Sequence, residues 1–157
     1  MPKIFISHKR EDSVIATEIS KNLSRHGIEN YLDVLDPYLT GDGDVLTNHL
    51  RSQLNSCTHL LAVLTKSTQI SWWVPFEIGL ATEKDFPISS FVSATDFTLP
   101  DYLENWPVLR SLADLNKYSN LVLKSRTSVI TENYRYAQPH LSYAEAFHKN
   151  LKKDLKN

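Results

Sequence analysis

One stretch, "SWWVPFEIGLA" (Ser71 to Ala81), sets a lone acid, Glu77, among two tryptophans, a phenylalanine and a proline. A solvent-facing helix carries charges along a whole face and a buried one carries none, so a single carboxylate here needs a reason. Residues four apart stack on a helix, which puts Trp73 beside Glu77 and predicts a face built from an indole and a carboxylate. Trp72, Phe76 and Leu80 form the neighbouring stripe, predicted to pack on a sheet. An acid against an apolar wall suits the stabilisation of a positive charge that develops beside it. The plainer alternative is a Glu77 that points to solvent or pairs with a lysine. Gly79 either permits close approach of a strand or ligand or marks loose packing.

The elements that must position Glu77 can be read in order. "KIFIS" (Lys3 to Ser7) suits a strand, "HKRED" a polar turn, and Asp12 or Ser13 a helix cap. Ile15, Ile19 and Leu23 then recur at helical spacing, with Gly27 where a C-cap belongs. "IENYLDVLD" reads as a second strand ending in acids, and "PYLTGDGD" as a loop. Asp44 caps a helix striped by Leu46, Leu50 and Leu54. "THLLAVLT" is continuously apolar, as in a strand covered on both faces. Ser71 is the expected N-cap of the Glu77 helix, with Pro75 in its first turn, and "PISSFVS" is a fourth strand.

Strands alternating with helices predict an α/β fold, a parallel sheet with helices on both faces and right-handed crossovers. In such sheets ligands bind at the carboxyl edge. The Glu77 helix begins there, and "SHKRED" and "DVLDPYLTGDGD" converge on the same edge. Ser7 and His8 either line that site or make a turn contact. Lys9 and Arg10 either meet phosphates beside a helix N-terminus or form a solvated basic turn. Beyond Thr95, helical turns interrupted at Pro100 and Pro107 are expected, with one short strand. Ser142 and Glu145 have capping-box spacing ahead of a stripe of Tyr143, Phe147, Leu151 and Leu155.

Several chemistries find no support. The six histidines and one cysteine lack metal-ligand spacing, so no metal is expected. Adjacent Ser7 and His8 do not make a nucleophile and base pair. There is no P-loop and no G-x-G-x-x-G, so no dinucleotide cofactor of the redox type is expected. A net charge of -1 gives no bulk attraction to nucleic acid or anionic membrane, and neither is an expected partner. One cysteine excludes an internal disulfide and fits a reducing, cytoplasmic setting. The chain opens on a strand-like run and is expected to carry no leader peptide.

"IFISHKREDSVIA", "YLDVLD" before an acidic glycine-containing loop, and "SWWVPFEIGLA" resemble, in order and spacing, the three sequence boxes of bacterial TIR (Toll/interleukin receptor) domains. The likeness covers Lys3 to Val92 and rests on three boxes agreeing. It implies a flavodoxin-like TIR fold with about five parallel strands. It also implies a TIR domain over residues 1–125, and a helical C-terminal extension over 126–157 packed on the same domain. Many bacterial members cleave NAD between nicotinamide and ribose, with a glutamate four residues after a tryptophan. Glu77 and Trp73 match that spacing, Ser71 matches the serine two before the tryptophan, and Asp33 matches the acid ending the second strand. There Asp33 either binds ligand or anchors the loop. The following loop resembles one that completes the site or mediates self-association in the family, although here Pro37 comes early and "TGDGD" makes the tip acidic.

The resemblance implies an NAD glycohydrolase or ADP-ribosyl cyclase with Glu77 catalytic. Trp73, Ser7, His8, Lys9, Arg10, Asp33 and Ser71 would bind substrate. Nicotinamide leaves NAD as a neutral base, so no acid need protonate it, and one carboxylate could stabilise the oxocarbenium-like ribose. As a free-standing chain it resembles Thoeris-type antiphage proteins, whose product, a cyclic ADP-ribose isomer or ADP-ribose conjugate, reaches a separate effector. Homotypic self-association is the expected partner contact. The alternatives are a non-catalytic TIR adaptor or an enzyme resembling nucleoside deoxyribosyltransferases.

Overall fold

Five runs of apolar residues pair as one parallel sheet in a computed structural model that describes residues 1–32, 43–93, 98–132 and 142–156; the side chains of 69, 70 and 126–132 lie outside that description. The strands are β1 (Lys3–Ser7), β2 (Glu29–Leu32), β3 (His59–Leu64), β4 (Ile88–Val92) and β5 (Val108–Leu109), in the order β2-β1-β3-β4-β5. All four pairings are parallel. This flavodoxin-like order places the topological switch between β1 and β3, where carboxyl-edge sites form. Ser7 ends β1 and pairs with Ala62 of β3 in register.

Every residue of β3 is buried, which is why its sequence is apolar without alternation. The helices α1 (Ser13–Arg25), α4 (Leu112–Glu132) and α5 (Tyr143–Leu155) cover one face, joining Ile4, Ile6, Leu61, Val63 and Phe91 in one core. The helices α2 (Gly43–Asn55) and α3 (Trp73–Glu83) cover the other, against Phe5, Leu60, Leu64, Ile88 and Val92. Gly27 follows α1 at φ 73, the left-handed conformation that ends a helix without a Cβ penalty. Pro100 precedes a single turn at Asp101–Leu103, and Pro107 leads directly into β5. The helix α4 is longer than the interrupted turns expected there, and it runs without a break through the boundary placed at residue 125.

The capping box at the start of α5 is formed: Ser142 Oγ accepts from the Glu145 amide at 3.2 Å, and Glu145 Oε2 accepts from the Ser142 amide at 2.8 Å. From there Phe147 and Leu151 enter the core of the sheet. Phe147 meets His59 edge-on at 5.0 Å and Tyr118 at 5.8 Å. Truncating Phe147 to alanine removes this wedge and should cost about 3–5 kcal/mol in urea unfolding.

His59 is 2% exposed at the start of β3, and burial holds its pKa at about 3, with a smaller push from His148. Burial also lowers His148, helped by Lys152 and opposed by Asp85 and Glu145. Both rings therefore fold neutral while the unfolded chain takes up their protons near 6.5. Their contribution is complete above that pH and is lost as pH falls toward the folded-state values. Denaturant midpoints should drop steeply between pH 6.5 and 4.5, approaching about 1.4 kcal/mol per pH unit from His59 alone. A His59→Gln variant should show a shallower slope.

Candidate functional site

The geometry around Glu77 starts with how α3 begins. Ser71 Oγ accepts from the amides of Trp73 at 3.3 Å and Val74 at 3.4 Å, the pattern of an N-cap side chain. Pro75 falls in the first turn, where its missing N–H removes no intrahelical bond. The helix then buries Val74, Glu77, Ile78 and Ala81 at spacings of three and four. Glu77 thus occupies the sheet-facing stripe, 0% exposed.

The stripe expected on the sheet, Trp72, Phe76 and Leu80, is a correction. Trp72 is 93% exposed, Phe76 is 41% exposed, and Leu80 is half-buried. The segment is apolar nearly all round, so hydrophobicity alone does not fix its rotation. The flat row of Leu60, Ala62 and Leu64 takes the slimmer Val74, Ile78 and Ala81 and turns the large rings outward. Gly79 is also exposed and a Cβ there would meet nothing within 4 Å, so no strand approaches it closely. Trp73 is half-buried, packs on the α2–α3 core and lies 5.6 Å from the Phe76 ring.

Ser7 reaches across from β1, and its hydroxyl donates to Glu77 Oε2. Ser7 is itself fully buried, so this hydrogen bond satisfies two polar groups inside the sheet–helix interface. Its strand partner Ala62 points to the same face, and its small side chain leaves the width a carboxyl group needs.

The remaining candidates divide. His8 is buried next to Ser7, with Nδ1 3.4 Å from the Ile6 carbonyl, a weak turn contact. Lys9 Nζ donates to the Ser67 carbonyl at 3.2 Å and pairs with Glu11 at 3.3 Å, so its charge ties the first turn to the loop after β3. Arg10 is exposed. Asp33 and the loop tip that follows lie outside the described residues.

Of Asp12 and Ser13, the two caps expected for α1, Asp12 stands at the cap position, but its side chain makes no capping bond. The buried carboxylate instead receives Thr65 Oγ1 at 2.9 Å, Ser67 Oγ at 3.2 Å and Thr68 Oγ1 at 3.3 Å. Thr65 and Thr68 also form a reciprocal cap on the turn leading into α3. The sequence signal was present: three hydroxyls in "TKST" straight after a buried strand need an acceptor, and Asp12 follows the strand next door.

Among the described residues, no group of three or more histidines, cysteines or acids could hold a metal, and no helix is long and apolar enough to cross a membrane. A cavity of about 100 Å³ lies between the first turn of α3 and Pro100–Leu103. That volume holds a few waters, not a dinucleotide. The arrangement supplies one sequestered carboxyl group aligned by a hydroxyl.

A protein-family model described as "TIR domain" matches residues 4–115. That span runs from β1 into the first turn of α4, past the Val92 limit of the three sequence boxes. No curated protein matches the chain.

Replacing Asp12 by alanine strips three hydroxyls of their shared acceptor and should lower unfolding free energy by about 2–4 kcal/mol in chemical denaturation. An Asp12→Asn variant, which keeps one acceptor oxygen, should fall in between.

Proposed function

Because the chain belongs to the TIR domain family, we propose that it consumes NAD, cleaving the bond between nicotinamide and ribose with Glu77 as the catalytic carboxylate. The observation that carries this reading is the placement of Glu77. An acid fills an apolar slot of a helix stripe, is held by Ser7, and sits at the switch point of the sheet. A scaffold has no need for an acid there, because a leucine would bury more stably.

In this reading the carboxylate faces the ribose as nicotinamide departs and offsets the growing positive charge. Holding the side chain in one rotamer through Ser7 removes reorganisation from that step. Trp73 shields the reacting centre, and exposed Arg10, rather than the engaged Lys9, meets the phosphates. Glu77 is closed off from solvent, so turnover includes an opening step that uncovers it. Self-association through TIR–TIR contacts is the natural trigger for that step. The product is an ADP-ribose-derived nucleotide, cyclic or conjugated, that signals to a separate effector in antiphage defence.

A second reading, a non-catalytic interaction module, draws on the same closure of Glu77 and on the exposure of Trp72 and Phe76 beside it. Nicotinamide release, followed by chromatography under dilute and self-associating conditions, separates the two. The wild-type protein should release nicotinamide, and Glu77→Gln should reduce the rate at least about a hundredfold with an unchanged melting temperature. A folded Glu77→Gln protein working at the wild-type rate removes the assignment, and a silent wild type in the associated state favours the module.

A further inference from the structure

The outer face of α3 is patterned like a second buried face. Trp72, Pro75, Phe76, Gly79, Leu80 and Glu83 follow one another at spacings of three, one, three, one and three, which lines them along one stripe of the helix. All of them are exposed except Leu80, which is half-buried. Between Ser71 and Thr82 the sequence holds a single charge, Glu77, and that side chain is buried on the inner face. A helix that is apolar on both sides is ordinarily covered on both sides. Trp72, at 93% exposure, departs furthest from that rule.

Gly79 stands in the middle of the stripe. A glycine inside a helix costs about 1 kcal/mol relative to alanine. Nothing in this chain requires one here, since a Cβ at 79 meets no atom within 4 Å and the backbone does not enter the left-handed region. What the glycine supplies is a notch open to the outside, one turn from the Phe76 ring. Packed helices run about 8–10 Å apart, a distance set by the side chains where they cross, and a glycine at the crossing lets a second helix come close.

The stripe is complementary to itself. In an antiparallel helix pair, residues equally far from the crossing point on either side stand opposite one another. For a crossing between Glu77 and Ile78, Phe76 meets Gly79 of a second copy, Pro75 meets Leu80, and Trp72 meets Glu83. Each ring then fills a notch. Each Glu83 carboxylate reaches the amino end of the other α3, where the helix dipole favours negative charge and the Trp72 indole offers an N–H. Every contact occurs twice, as a two-fold pairing requires. A parallel pairing would set Phe76 on Phe76 and Glu83 on Glu83, bringing like charges together.

We propose that the outer face of α3 docks a second copy of this chain, antiparallel about a two-fold axis at the Phe76–Gly79 crossing. The helix has 11 residues, about 16 Å. A contact centred on one helix of that length falls short of the roughly 1,200–2,000 Å² buried in a stable complex, so the pairing is reversible and set by concentration. The inference rests on the self-association in the reading above and gives it a surface, on the helix that carries Glu77. Its test reads oligomeric state, so its failure and a failure of NAD cleavage are told apart.

In analytical ultracentrifugation the full-length protein should pass from monomer to dimer as its concentration rises. Over the same range the nitrogen-15-labelled amides of Trp72, Phe76, Gly79 and Leu80 should shift together. Gly79→Leu makes the face more apolar and suits a helix better, yet it fills the notch, so it should weaken the dimer at least about tenfold. Glu83→Lys puts a cation at the carboxyl end of its own helix, which favours folding, and at the amino end of the other copy, which opposes docking. It should weaken the dimer about three- to tenfold while the melting temperature of the monomer holds or rises. A monomer at every concentration would overturn the proposal and leave the stripe to a different protein. Shifts on another surface, or a dimer that Gly79→Leu leaves unchanged or tightens as it would an unspecific apolar patch, would overturn it as well. If Gly79→Leu fails to fold, the comparison of wild type with Glu83→Lys decides.

Discussion

The hydrogen bond from Ser7 to Glu77 joins residues 70 positions apart and sets what the rest of the molecule must provide. A carboxyl group cannot be buried at 0% exposure without a partner, since losing water costs several kcal/mol. The partner stands at the end of β1, so β1 and β3 must be adjacent, with the chain running through α1 to β2 on the far side of β1 and returning through α2 to β3. The helix must also arrive with Glu77, not Trp72, turned inward. Small residues at Ala62 and Ala81 make the interface thin enough for both requirements.

Asp12 performs the matching task one turn away. Its carboxylate draws in three hydroxyls from the loop between β3 and α3, more than 50 residues on, and so fixes where α3 starts. Ser71 then sets the first helical amides. Rotation and starting point of α3 are therefore held by polar contacts at its N-terminal end, and the apolar stripe of Val74, Ile78 and Ala81 supplies the bulk of the burial. Trp72 and Phe76 are left on the surface as a consequence of that rotation.

Much of this was legible in sequence for physical reasons. The unbroken apolar run of β3 marks a strand covered twice, Gly27 marks a helix end, and Ser142 with Glu145 marks a helix start. What sequence could not supply was the rotation of α3, because "WWVPFEIGLA" is apolar around nearly its full circumference. The role of Asp12 was hidden by its position, since an acid before a helix reads as a cap and its actual partners are distant in the chain. The helix α4 was obscured because its stripe of Leu115, Tyr118 and Val122 is interleaved with serines and asparagines.

The two edges of the sheet solve the same problem with opposite chemistry. At the carboxyl edge the amino end of α3 favours negative charge, and the buried groups there are the acids Asp12 and Glu77, each met by hydroxyls. At the amino edge α2 and α3 end, and their partial negative charge should favour a protonated His59 by about 0.3–1 kcal/mol. Burial outweighs this: a pKa brought from 6.5 to about 3 corresponds to a few kcal/mol in favour of the neutral ring. A neutral imidazole can join hydroxyls on both sides without a counter-ion, as it does between Thr58 and Tyr143. The amino edge can therefore keep an apolar hollow beside its polar groups.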